Sequence, residues 1–527
     1  MSSSLKSTED VLESNKLDTE IAKSESQVHT KKPFINRFKS GLWDCLDYPP
    51  EQRRVILKID FLIVVWGALS SFIKYLDKSN LGNAYNSGLK EYLNVKGNEL
   101  NYANTAYNVA SIICGFPAAQ LMVKYNTKWF IVIIEVLWTI VTFGFVSIKT
   151  PFQMIVVRTI LGIVECGHYS AFVFLIGTYY NQKELARRQV VLQSFTVLGP
   201  MFATYIQAGA SSSLAGKNGY EGWQWTFLID GIVSFFVIVP QIIFMPDILS
   251  RVKPSRFLSQ EEITYLQKRL PQIKQDEKPV GVWNQVKEML QWCTQWHVWA
   301  FWLFGVSQDI ISLSNASTQF WIKGWNKIHK GSYTTSQINT LTSPMYAVSF
   351  ATSLILGWTS DTIFKGKRWP GIIIAGLWTF PAMIALGKIP VYGPKGIRFF
   401  LYYQSSVAQG ASGLYWGYAQ EYYGYNLRLR AFVTGGINVW AYVANCICNN
   451  IWYKTADQPY ISTGHYLSAF FCFVYVINSL ALGWGEKKYM RKPQTETVTD
   501  EESDLEGIKT KTVEGTYSKA STISSTN

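Results

Sequence analysis

The chain's hydrophobic residues gather into twelve long runs, parted by short polar turns and one long polar stretch. They lie at about 55–78, 102–124, 128–148, 152–180, 188–210 and 224–246, then at about 296–322, 338–361, 369–388, 397–420, 430–452 and 463–484. Each is near the roughly 20 apolar residues that a helix needs to cross a hydrocarbon core of about 30 Å. Six runs, a loop and six more predict an all-α membrane protein of twelve transmembrane helices in two six-helix bundles, over 51–246 and 296–484. The ends, 1–50 and 485–527, are rich in Ser, Thr, Lys and Glu and read as disordered tails. Within the linker, 247–295, Ser259-Gln260-Glu261-Glu262 has capping-box spacing ahead of Ile263, Leu266 and Leu270. A short amphipathic helix is expected there, ended by Pro271.

Composition supports that reading. Only 16% of residues are charged while 48% are hydrophobic and 15% aromatic, too little charge to clothe several soluble domains. The formal net charge of +13 does not form a basic stripe, so nucleic acid is not an expected partner. The cations cluster instead between the runs: Lys31, Lys32, Arg37, Lys39, Arg53 and Arg54, then Lys183, Arg187 and Arg188, then Lys365, Lys367 and Arg368, then Arg428 and Arg430, then Lys487, Lys488, Arg491 and Lys492. By the positive-inside rule these loops, and with them both termini, are expected in the cytoplasm. The seven cysteines have no metal or redox spacing, and no metal site is expected. The first run begins near Val55 behind a hydrophilic stretch, which predicts insertion through an internal helix and not a cleaved signal.

Ionisable groups inside such runs cost roughly 2.5–3.5 kcal/mol each and point to function. Three places attract attention. Lys74, Asp77, Lys78 and Leu81 are spaced for one helical face, provided the first helix continues past Leu76. Arg158 and Glu165 stand two turns apart in the fourth run, with His168 one turn beyond. Gly357 and Asp361 precede Lys365, Lys367 and Arg368 at a turn between the eighth and ninth runs.

In order, these segments resemble the major facilitator superfamily and, within it, the anion:cation symporters, especially the fungal allantoate permease family. The resemblance spans about Leu46 to Trp484. It is carried by Tyr75-Leu76-Asp77-Lys78-Ser79-Asn80-Leu81-Gly82-Asn83-Ala84, by Arg158, Gly162 and Glu165, by Gly199-Pro200, by Glu221-Gly222-Trp223-Gln224-Trp225, and by Gly357, Asp361 and Arg368. Two departures stand out. Lys78 occupies a place where many relatives have Arg, and Gln120 to Lys128 lacks the Gly and Asp of the superfamily's loop motif, which implies a differently latched N-terminal gate.

The resemblance implies proton carriage by Asp77 and Glu165, substrate contact by Lys78 and Arg158, and gating by Gly357, Asp361 and Arg368. Asn80, His168, Tyr169 and Asn438 complete the expected substrate wall. It implies proton-coupled uptake of a small organic anion, a carboxylate vitamin such as pantothenate, biotin or nicotinate. Allantoate, ureidosuccinate, small peptides or sulfur-containing acids are the alternatives within the family, and a transporter-like nutrient sensor without flux is the alternative class. No cofactor beyond the proton gradient is expected. A monomer in the plasma membrane is expected, and with only five His and no nucleophile elbow or cofactor loop, not an enzyme.

Overall fold

Helix formation does not stop where the unbroken apolar stretch of the first run stops. In the computed structural model Trp66–Ala84 (α1) is one helix, entered from a π-helical turn, Asp60–Val65. The structure describes residues 43–180, 182–269, 282–329, 331–423 and 427–489, so most of both predicted tails lies outside the described residues. The chain divides into a short unit ending at Ile56 and a large one, Leu57–Asn527. In the short unit Asp44–Asp47 forms a 3-10 turn, with the Tyr48 N–H donating to the Cys45 carbonyl at 3.1 Å.

In the large unit α1 is followed by Glu99–Lys124 (α2), Thr127–Gly144 (α3), Pro151–Glu165 (α4), His168–Gly177 (α5), Gln182–Gly209 (α6) and Gly222–Phe244 (α7). The linker helix Gln260–Arg269 (α8) precedes Trp296–Ile328 (α9), Ser343–Thr362 (α10), Trp369–Lys388 (α11), Lys395–Ser405 (α12), Ser412–Tyr422 (α13), Leu427–Ile451 (α14) and Ser462–Tyr489 (α15). Each of the twelve apolar runs falls on helix, and no strand occurs among the described residues beyond an isolated bridge between Ser255 and Leu258. Three runs are broken, the eighth near its start at Leu341-Thr342, between the short helix Thr335–Thr340 and α10. The fourth is interrupted at Cys166-Gly167, between α4 and α5, and the tenth around the short helix Val407–Gly410, between α12 and α13.

Among the described residues seven helical stretches are long and apolar enough to cross a membrane by length and composition. Helices α6 and α9 fall outside that set because they bury polar side chains such as Gln189, Gln193, Gln308 and Asn315. A helix of this kind crosses a bilayer by facing protein instead of lipid. The outer surface is apolar: Phe152, Phe236 and Trp378 are 72%, 68% and 57% exposed, as side chains meeting lipid would be.

Local chemistry fixes the helix ends. Thr150 and Gln153 form a capping box at the start of α4, with Pro151 in the first turn, where its missing N–H costs nothing. Gln224 accepts from the Glu221 N–H at 2.8 Å and donates to the Val146 carbonyl at 2.7 Å, tying the start of α7 to the turn after α3. At the start of α3, Asn126 caps Trp129 at 3.1 Å, and Asp247 accepts from the N–H groups of Thr127 and Lys128 at 3.0 and 3.4 Å. The start of α3 is thus held by an acid that follows α7.

Glycine sets how closely helices approach. A Cβ on Gly199 would lie 2.3 Å from the Phe72 carbonyl oxygen, and one on Gly162 would lie 2.3 Å from that of Tyr107. Only glycine lets α6 meet α1, and α4 meet α2, backbone to backbone. In the linker, the Ser259–Glu262 capping box is formed, Ile263 and Leu266 are buried, and Lys58 and Arg269 pair with Glu262 and Glu184. Although partial burial raises the Glu262 pKa, the Lys58 ammonium and Ser259 amide outweigh it and hold the carboxyl below its ordinary range.

Candidate functional site

Because α1 continues, Lys74, Asp77 and Lys78 share one face toward the other helices. The Asp77 carboxylate is 2% exposed. One oxygen accepts from the Thr142 hydroxyl of α3 at 2.5 Å, and the other, Oδ1, has no partner among the described residues. Lys78 extends over three tyrosine rings, 5.3 Å from the centre of Tyr442, 5.6 Å from Tyr107 and 5.8 Å from Tyr75. No carboxylate among the described residues lies within 4.0 Å of its ammonium. Cation–π attraction of this kind is worth about 0.5–2 kcal/mol, enough to hold a side chain in place without neutralising it.

The fourth run supplies the second pair of groups, though not as an ion pair. Arg158 donates to the Lys78 carbonyl at 2.9 Å and lies over the rings of Tyr107 and Phe145, at 5.7 and 5.8 Å. Among the described residues its Nε has no hydrogen-bond partner and no carboxylate comes within 4.0 Å. Glu165, fully buried, accepts from the Tyr107 hydroxyl at 2.7 Å through one oxygen, while Oε1 is unpartnered among the described residues. Lys74 donates to the Glu165 main-chain carbonyl at 3.0 Å. Asp77, Lys78, Arg158 and Glu165 are therefore close together but held apart by tyrosines and backbone, each with bonding capacity left over.

The other residues expected at the substrate wall separate. Tyr169 accepts from Gln189 and packs its ring 5.0 Å from Trp416, joining the two bundles. Asn438 is half-buried in α14, without a hydrogen bond among the described residues. Asn80 is fully buried and donates to Asp230 at 2.8 Å. His168 does not continue the Arg158–Glu165 face, because the helix breaks at Cys166-Gly167. Its ring lies instead between Trp138 and Phe172, bonded to Ser70 at 2.6 Å.

Three further acids within the helices were not singled out by sequence: Glu135 of α3 and Asp230 of α7, both buried, and Asp309 of α9, half-buried. Each is an ionisable group in an apolar run, but without the cation spacing that drew attention to Asp77 and Glu165. Asp309 accepts from Asn445 of α14 at 2.7 Å, and Asn445 in turn accepts from Asn108 of α2 at 2.8 Å. Asp309 and Tyr442 thus bring the second bundle up to Lys78.

The predicted gating residues form one network. Asp361 accepts from Arg187 of α6 at 2.6 Å and from Arg368, and Arg368 also pairs with Glu421 at 2.7 Å and donates to Ser360 at 3.0 Å. A Cβ on Gly357 would approach Val190 Cγ1 to 2.9 Å, so glycine permits the contact between α10 and α6. The opposite end of the interface is bridged chiefly by neutral amides. Gln319 donates to Asn83 at 2.6 Å, Asn86 to Gln319 at 3.1 Å, Asn339 to Ser87 at 2.9 Å, and Asn101 to the Asn449 carbonyl at 2.5 Å.

The family model of the Major Facilitator Superfamily matches residues 67–448, well over half of the chain. The chain belongs to the Major Facilitator Superfamily. It is 27% identical over 421 residues to the pantothenate transporter liz1 of Schizosaccharomyces pombe, covering 77% of both chains. The pantothenate transporter FEN2 of Saccharomyces cerevisiae is 24% identical over 426 residues, 79% of this chain and 80% of that one. The vitamin H transporter of the same yeast is 24% identical over 453 residues, 83% and 74%. Among solved structures, the nucleoside transporter NupG aligns with a TM-score of 0.55 at 11% identity, covering 79% of this chain and 99% of that one. A bacterial homologue of the human lysosomal transporter Spinster, inward-facing and occupied, aligns at 0.52 with 13% identity, covering 79% and 95%. Those two likenesses concern the fold alone. As a superfamily member the chain is a multi-pass membrane transporter, and the sequence motifs pointed to the same fungal relatives.

Proposed function

We propose that the chain is a proton-coupled importer of a carboxylate vitamin, with pantothenate first and biotin and nicotinate next, at the plasma membrane with both termini cytoplasmic. The observation that carries this reading is Lys78, held by three tyrosines with no carboxylate among the described residues within 4.0 Å, beside two buried acids that each keep an oxygen unpartnered among those residues. The activities of these relatives, pantothenate and vitamin H transport, supply the substrate class.

The mechanism is alternating access about a site between two bundles. With the site open outward, Asp77 and Glu165 are protonated and leave Lys78 and Arg158 to attract the substrate carboxylate. When the site opens inward, both protons leave, the two carboxylates compete for the same cations, and the substrate is expelled. The Arg187–Asp361–Arg368 network holds the inner end shut during loading, and the amide contacts hold the outer end shut during release. One chain supplies both walls of the site, so a monomer suffices.

The test is uptake into proteoliposomes of radiolabelled pantothenate, biotin, nicotinate and allantoate, with the outside made acid. At least one carboxylate should accumulate above equilibrium, and a protonophore should abolish the accumulation. Uptake of a carboxylate at a rate and extent indifferent to the proton gradient would overturn the coupling.

A further inference from the structure

We propose that Glu135, Ser70 and His168 form a second proton-binding site inside the first bundle, separate from Asp77 and Glu165. Three helices supply it: Ser70 from α1, Glu135 from α3 and His168 from α5. All three are 0–1% exposed. The Ser70 hydroxyl lies between the other two, bonded to Glu135 Oε1 and, at 2.6 Å, to His168 Nε2, and those two atoms are themselves 3.5 Å apart. Trp138 and Phe172 wall in the imidazole, with ring centres 4.9 and 5.0 Å away.

Donor counting shows what this arrangement can do. A serine hydroxyl has one proton to give, so its two bonds must run in the same direction. In the basic form His168 Nε2–H donates to Ser70, and Ser70 O–H donates to a Glu135 carboxylate. If one proton arrives at Nδ1, the Nε2 proton passes to the Ser70 oxygen and the Ser70 proton passes to Glu135. The imidazole is again neutral, now with its hydrogen on Nδ1. Glu135 has become a carboxylic acid, and one net charge has been neutralised without movement of a heavy atom. His168 Nδ1 and the far carboxyl oxygen of Glu135, Oε2, are the buried atoms of the cluster without a hydrogen bond among the described residues. His168 Nδ1 is the port of a short proton wire that ends at Glu135 Oε1.

The surroundings favour such a site over a permanent ion pair. An isolated carboxylate in an apolar interior is costly and tends to take up a proton. Facing Glu135 from α7 is the amide of Gln241, which carries no charge. Lys74 is the charged group facing His168, and it is tied to the main chain of Glu165. The second site therefore lies one layer behind the substrate cations, close enough to sense them without contacting an anion.

The protonation itself is independent of the transport reading, whereas its consequence, an extra proton per substrate, rests on that reading. Infrared difference spectra of the purified protein in lipid, between about pH 4 and pH 9, follow carboxyl groups as they titrate. Glu135→Gln should remove one titrating carboxyl C=O band that Asp77→Asn leaves in place. Ser70→Ala, which breaks the wire but keeps both ends, should move that band to a different pH without removing it. In proteoliposomes, the reversal potential for pantothenate should show one proton fewer per substrate in Glu135→Gln than in the unaltered chain. Identical spectra for Glu135→Gln, Ser70→Ala and the unaltered chain would overturn the site. Should Glu135→Gln fail to fold, the Ser70→Ala shift alone decides. Gradient-independent pantothenate movement with the Glu135 band present would overturn proton-coupled import and still support this site.

Discussion

A lysine ammonium is a compact point charge with three donors, whereas a guanidinium is a planar fork. At position 78 the point charge stands among three aromatic faces and can turn toward a carboxylate from several directions. Lys78→Gln should weaken apparent affinity for pantothenate roughly ten- to hundred-fold, the loss of a charge-assisted hydrogen bond of about 1.5–3 kcal/mol. Lys78→Arg should keep transport and narrow selectivity toward acids that accept a bidentate contact. Concentration-dependent uptake measures both, and an unchanged KM in Lys78→Gln would remove Lys78 from the site. At this scale the sequence was legible where charge and spacing coincide, as at Asp77, Lys78, Arg158 and Glu165. It was less so for Glu135, Asp230 and Asp309, whose partners Ser70, Asn80 and Asn445 come from helices far away in the chain. The place of His168 was misjudged because helical counting was carried across Cys166-Gly167, where the helix is interrupted.

The helices themselves were more legible than their contacts. Apolar run length marks twelve helical segments, but nothing in run length reveals that α6 touches α1 at Gly199, one helical turn before Asp77. The Gly199-Pro200 pair was visible as a motif, and its reason is steric: the Phe72 carbonyl and the Leu76 N–H group occupy the space a side chain would need. Gly199→Ala should push α1 away, destabilise the protein by about 1–3 kcal/mol through overpacking, and reduce uptake by displacing Asp77 and Lys78. Gly209→Ala, at a helical position of α6 with nothing within 4 Å, is the control. It should leave stability unchanged or slightly higher, since alanine favours helix by about 0.8–1.0 kcal/mol over glycine. Thermal unfolding followed by tryptophan fluorescence distinguishes them, and equal melting temperatures would mean that the contact is not needed.

Across the whole molecule, the two ends of the bundle interface differ in chemistry. One is bridged by the charged Arg187–Asp361–Arg368 network, while the other is bridged by side-chain amides and, among the described residues, a partly exposed Lys323–Glu91 pair at 3.4 Å. Neutral hydrogen bonds contribute about 0.5–1.5 kcal/mol each, and bonds to charged groups about twice as much, so the charged end is the firmer latch. Lysine and arginine clusters expected in the cytoplasm flank that same end, which is why this charged network could be read from the chain. The amide end could not, because single Asn and Gln residues carry no spacing signal. In the proposed mechanism, competition of two acids and a substrate carboxylate for Lys78 and Arg158 links the gates to the gradient. The most direct measurement compares pantothenate exchange at equal pH with pantothenate accumulation under an acid-outside gradient, in proteoliposomes bearing Asp77→Asn or Glu165→Gln. Each variant is expected to retain exchange and to lose at least nine-tenths or so of the accumulation, a barrier of about 1.4 kcal/mol or more. Full gradient-driven accumulation in both variants would contradict proton coupling through these two carboxylates.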